Sequence, residues 1–83
     1  MTVVREYISD KAHLYVEVYA GYHVLHLVRG VDFKLFNQIK EDYKDTPLMT
    51  TTPVGHRTNR IVSRYMDHVL TKDGVNIYHI RRP

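Results

Sequence analysis

The 83-residue chain contains no cysteine, which excludes disulfide staples and every zinc site that depends on thiolates. No stretch approaches the roughly 18 apolar residues of a membrane span, so no membrane partner is expected. The first residues include Arg5 and Glu6 in place of a long apolar run. That is unlike a secretory signal, and the expected location is the cytoplasm. A glycine-rich phosphate loop, a serine elbow and a paired-carboxylate constellation are also missing. Without them nothing marks a reaction centre, so no enzyme and no cofactor are expected.

What is present suits one small domain. A chain of this length buries roughly 60 to 65% of the surface its unfolded form exposes. With 43% hydrophobic and 25% charged residues, its composition is that of an ordinary globular protein. Residues 1–83 therefore read as a single α+β domain. A lone core of this size supplies about 3 to 5 kcal/mol, and a homodimer is expected to add to that margin.

Period-two alternation dominates the first third of the chain. Val3 to Ile8 reads as a short strand, and Leu14, Val16, Val18 and Ala20 alternate with Tyr15, Glu17 and Tyr19 as a second. Gly21 permits a tight reversal into a third strand from Val24 to Arg29. Asp32 then caps a helix in which Leu35, Phe36, Ile39 and Tyr43 share one face, ending near Lys44. Thr50, Thr51 and Thr52 read as a loop, with Pro53 suited to the first position of a second helix running to about Thr71. Val75 to Ile80 alternate as a last strand. The expected architecture is a two-layer α+β sandwich in the order β-β-β-α-α-β, with a four-stranded antiparallel sheet and two helices on one face.

The net charge of +3 is unevenly distributed. Residues 1–45 hold six Lys/Arg and seven Asp/Glu, a balance of −1, whereas residues 46–83 hold six and two, a balance of +4. Within the basic half Arg57, Arg60, Arg64 and His68 recur at spacings of three, four and four, forming one stripe on a continuous helix. Arg81 and Arg82 extend that field. From residue 54 onward there are five arginines and one lysine. This bias favours forked contacts with phosphate or carboxylate over mere solubility.

Tyr15 and Tyr19 fall opposite the inward set of the second strand, and similar alternation exposes Tyr7 and Tyr78. Tyrosines on an open sheet face stack unpaired bases or anchor a protein interface. Six histidines raise the question of a metal, but His23 and His26 point to opposite faces of a strand and no acid cluster completes a site, so none is expected.

Together these features give a basic, non-enzymatic binding module. Its first reading is nucleic-acid recognition, RNA or single strands ahead of duplex DNA, through Arg57, Arg60, Arg64, His68, Arg81 and Arg82, with Tyr15, Tyr19 and Tyr78 as stacking or interface groups. The alternative is an inhibitor or adaptor that occludes an acidic surface of a partner protein. A metal-independent ribonuclease drawing on His79, Tyr78, Arg81, His56 and Arg57 is the remaining reading.

Overall fold

The alternation of residues 12–19 becomes a strand whose even positions are sealed from water: Leu14 and Val16 are fully buried, while Tyr19 is 59% exposed. The computed structural model describes residues 2–80. Its elements run β1 (Thr2–Ile8), β2 (Ala12–Tyr19), β3 (Tyr22–Gly30), α1 (Phe33–Asp42), β4 (Met49–Pro53), α2 (Thr58–Val62), β5 (Met66–Lys72) and β6 (Val75–Ile80). All six strands join one sheet in the order β1-β2-β3-β4-β6-β5, with β3 and β4 parallel and every other pair antiparallel. This replaces the expected four-stranded antiparallel sheet and its β-β-β-α-α-β order.

Two of the sequence-based expectations fail for one reason. The threonine run is not a loop; it forms β4, paired with β6 from Met49↔His79 to Pro53↔Val75. The second helix stops at Val62, and residues 66–72 are a strand against β6. Ile61, Val62, Tyr65 and Val69 do repeat at helical spacing, but the hairpin at Asp73 and Gly74 draws the preceding residues into a ladder. Both turn residues take positive φ, 53° and 77°, as a two-residue hairpin turn requires. Ala20 and Gly21 repeat this geometry between β2 and β3, with φ of 51° and 82°.

Both helices cover the same sheet face. Asp32 caps α1, its carboxylate accepting from the Lys34 amide at 2.9 Å, and Phe36 and Ile39 project from that helix into a core with Leu14, Val16, Leu25 and Leu48. From the far side of the core, Val62 and Met66 close over it, and Tyr65 stacks on Phe36 at 4.2 Å. Burying each large apolar side chain contributes about 1.5 to 3 kcal/mol. The outermost strand β1 is tied to α1 through Asp42, which accepts from Tyr7 Oη at 2.8 Å, Arg5 at 2.8 Å and Gln38 at 2.9 Å. Burial and the bond to Asp42 push the Tyr7 phenol well above its ordinary range.

The sheet splits in its middle. β3 and β4 share one register pair, Val24↔Met49, after which they diverge. In the ladder with β2, β3 carries an extra residue at Val28, between Leu27 and Arg29, and such a bulge bends its strand. Thr50 Oγ1 bridges the beginning of the gap, donating to the Leu25 carbonyl at 2.7 Å. The last residue of β3, Gly30, has φ +66°, and a side chain there would meet the Lys11 carbonyl oxygen at 1.9 Å. Among the described residues no helix is long and apolar enough to cross a membrane.

Candidate nucleic-acid interface

Pro53 ends β4, and the chain then turns sharply through Gly55 into α2. Asn59, on the first turn of α2, holds that turn in place. Its amide nitrogen donates to the Pro53 carbonyl at 2.7 Å and to the His56 carbonyl at 2.8 Å. Its Oδ1 accepts from Asn76 Nδ2 at 2.7 Å, Tyr78 Oη at 2.9 Å and Thr52 Oγ1. One side chain thus connects the loop that carries His56 and Arg57 to β4 and β6. The same asparagine uses every hydrogen-bonding site it has.

His56 is oriented as well. The Thr58 amide donates to its Nδ1 at 3.2 Å, and the Thr58 hydroxyl lies 2.8 Å from the same atom. An Nδ1 that accepts an amide proton assigns the ring proton of the neutral imidazole to Nε2, which remains available as a donor.

Three adjoining cavities share His56. The first lies in the sheet split, with Tyr15 and His26 on one side and Thr51, Thr52 and Thr58 on the other. A second runs between residues 27–31 and α2, and Arg29 and Arg57 both line it. The third, about 570 Å³, is bounded by Gly55, His56, Arg57, Asn59, Arg60 and Asn76. None of the three is lined by an aspartate or glutamate among the described residues, although the chain has nine such residues. Arg57 and Arg60 are exposed, and neither guanidinium has an ion-pair partner among the described residues. Arg29 donates to the Ser9 and Asp10 carbonyls at 2.8 and 3.3 Å and has no ion pair among the described residues.

The residues singled out from sequence are divided by this geometry. Arg57 and Arg60 stand together on the helix side. Arg64 follows α2, is exposed, and lines none of the three cavities. His68 is not on the helix: it belongs to β5, with Nε2 2.9 Å from Thr71 Oγ1 and its ring edge-on to Tyr78. The expected four-member stripe therefore reduces to an arginine pair on a short helical turn. Arg81 and Arg82 lie outside the described residues.

Among the tyrosines, Tyr15 and Tyr19 do project from the face opposite the helices. Tyr15 stacks on His26 at 4.7 Å, and His26 pairs with the buried Glu17 at 2.9 Å. Tyr7 and Tyr78, read as exposed, are 6% and 5% accessible. Tyr78 lies beneath α2, so its ring is a core member and not a stacking platform. Burial also separates the ribonuclease group: Tyr78 faces the helices while the adjacent His79 faces outward.

Sequence reasoning did not single out Asn59, Asn76 or Arg29. Asn59 was within reach, because an asparagine three residues beyond His56 is placed to hydrogen-bond a turn. Asn76 depends on a β5–β6 pairing that the helical reading obscured. Among the described residues no three His, Asp or Glu side chains gather as a metal site. Comparison with known proteins finds no matching family model, no similar curated protein and no similar solved structure.

Proposed function

We propose that the protein binds single-stranded nucleic acid, RNA in the first place, along the connected cavities from Tyr15 and His26 past His56 to Arg57 and Arg60. The observation that carries this reading is that Arg57, Arg60 and His56 line connected cavities with no Asp or Glu among the described lining residues, the carboxylate of Glu17 pairing with His26 at the sheet end. A strand laid there meets forked donors for its phosphates at the helix end and a ring pair at the sheet end. Guanidinium groups suit phosphate because each offers two parallel hydrogen bonds, and an aromatic ring accepts any base by stacking. The helix that borders the groove, α2, is only five residues long, which favours single strands over reading of a duplex major groove.

The test is fluorescence anisotropy with a labelled single strand across a salt series. Each phosphate contact contributes a log–log slope of about −0.7 on single strands, so two to four contacts predict a total between about −1.4 and −2.8. The double variant R57A/R60A should lose most of the affinity and flatten that slope. A flat salt response in the wild-type protein rules the reading out.

An acidic protein partner is the second reading, favoured by one specific observation. At the β2–β3 hairpin tip Tyr19 and Tyr22 are 59% and 63% exposed, an arrangement typical of aromatic anchors in protein interfaces. A second copy of the chain would use that face in the same way. Capture that survives nuclease treatment, with loss upon Tyr22→Glu, would select this reading.

A further inference from the structure

We infer that the cavity bounded by His56, Arg57, Arg60 and Asn76 receives the terminal phosphomonoester of a bound strand, in preference to an internal phosphodiester. This rests on the nucleic-acid reading and specifies which part of the polymer that end of the cleft takes.

The polar groups around this cavity are predominantly donors. Arg57 and Arg60 contribute two guanidinium forks, and His56 contributes Nε2–H, since its Nδ1 already accepts from Thr58. Asn76 gives one amide hydrogen to Asn59 Oδ1 at 2.7 Å, and its own Oδ1 accepts from Thr71 Oγ1 at 2.5 Å. That leaves the second amide hydrogen of Asn76 unassigned. Asn59 is saturated by its five hydrogen bonds, so it forms wall and not ligand.

Charge and valence favour a chain end. An internal phosphodiester carries one negative charge and two non-bridging oxygens, which a single guanidinium fork satisfies. A phosphomonoester carries about −1.5 to −2 near neutral pH and presents three acceptor oxygens. Two forks and an imidazole N–H, with no carboxylate to offset them, match the second and exceed the first. Position agrees with charge. This cavity shares His56, Arg57 and Ile61 with the second cavity but only His56 with the first, whereas the first and second share Leu27, Val28, His56 and Thr58, so it stands at one end of the series. Gly55 leaves the rim open, since a side chain there would meet nothing within 4 Å.

The experiment compares single strands of one sequence and about 12 nucleotides, a length within the usual site sizes of single-strand binders. One carries a 5′-phosphate, one a 3′-phosphate and one neither, and binding to the full chain is measured by anisotropy at fixed salt. The expected result is that at least one phosphorylated end binds about tenfold more tightly than the bare strand, a difference of about 1.4 kcal/mol. Inorganic phosphate should compete against that strand more effectively than against the bare one. Arg60→Gln, with its fold confirmed by an unchanged thermal melt, should bring the phosphorylated-to-bare ratio close to one.

Equal affinities for all three strands would overturn the inference and leave the nucleic-acid reading standing. No binding of any strand at low salt would overturn both. Tight binding of a phosphoserine peptide with none of RNA would assign the cavity to a protein ligand and likewise overturn the inference.

Discussion

Replacing Asn59 with alanine should damage stability far more than its half-exposed position on a five-residue helix suggests. The substitution removes the acceptor shared by Thr52, Asn76 and Tyr78 and both donors to the Pro53 and His56 carbonyls. Thr52 and Tyr78 are 3% and 5% accessible, so their hydroxyls would lose a partner in a place water reaches poorly. Each buried unsatisfied group costs about 1 to 3 kcal/mol. Asn76 is half-buried, and the two carbonyls lie near solvent and recover bonds to water. The expected loss is therefore about 2 to 4 kcal/mol in total. For a domain of this size each kcal/mol corresponds to roughly 4 to 8 °C in melting temperature. Thermal unfolding followed by circular dichroism should show Asn59→Ala melting roughly 10 to 25 °C below the wild type. Tyr78→Phe is the internal control. It deletes one donor but leaves Oδ1 with two others, so it should cost about 1 kcal/mol or less. A drop below about 5 °C for Asn59→Ala, the size of an ordinary surface change, would refute the claim that this side chain organises the arginine-bearing turn.

Three further outcomes follow from other parts of the molecule. Gly30→Ala must place a methyl 1.9 Å from the Lys11 carbonyl at φ +66° and should abolish folding or lower the melt by more than about 15 °C; Gly21→Ala, with nothing within 4 Å of the added atom, should cost only about 1 to 2 kcal/mol of left-handed backbone strain. Burial alone would raise the Asp42 carboxyl, but hydrogen bonds from Tyr7, Gln38 and Arg5 outweigh it and hold the group below the ordinary carboxylate range. Its stabilising contribution is thus present at neutral pH and lost as pH falls through that lowered value. Urea titrations should show Asp42→Asn less stable than wild type at pH 7 and less sensitive to acid below about pH 5. Arg57→Ala and Arg60→Ala should each shallow the salt slope for single-strand binding by about 0.7, whereas Lys44→Ala, remote on the α1 side, should leave it unchanged.

Local signals led to the right structure wherever they had one interpretation. The strict alternation through Val18 and the Ala20–Gly21 reversal gave the β1–β3 meander, and Asp32 marked the start of α1. Residues 58–71 allowed two. Ile61, Val62 and Tyr65 satisfy a helical period, while Met66, His68 and Leu70 satisfy a strand period almost as well. Only pairing with β6, a tertiary contact, decides between them. The deciding signal was nonetheless present: Asp73-Gly74 flanked by apolar alternation is the strongest short-range mark of a hairpin. The arginine pair survived the change because Arg57 stands at the N-cap of α2 and Arg60 within it, while His68 did not because it lies past the break at Ser63. The cleft was not legible at all. It lies where β3 and β4 share a single register pair, and the spacing of charges along the chain does not encode that separation.

The most direct test of the central claim is a two-dimensional amide NMR titration of the isotope-labelled protein with a single-stranded RNA, including the arginine side-chain Nε–H signals. The account predicts that the largest shifts fall on His56, Arg57, Thr58 and Arg60, with smaller ones at Tyr15 and His26 and none on β1. Shifts concentrated at Tyr19 and Tyr22, or a titration that leaves the Arg57 and Arg60 signals in place, would contradict it.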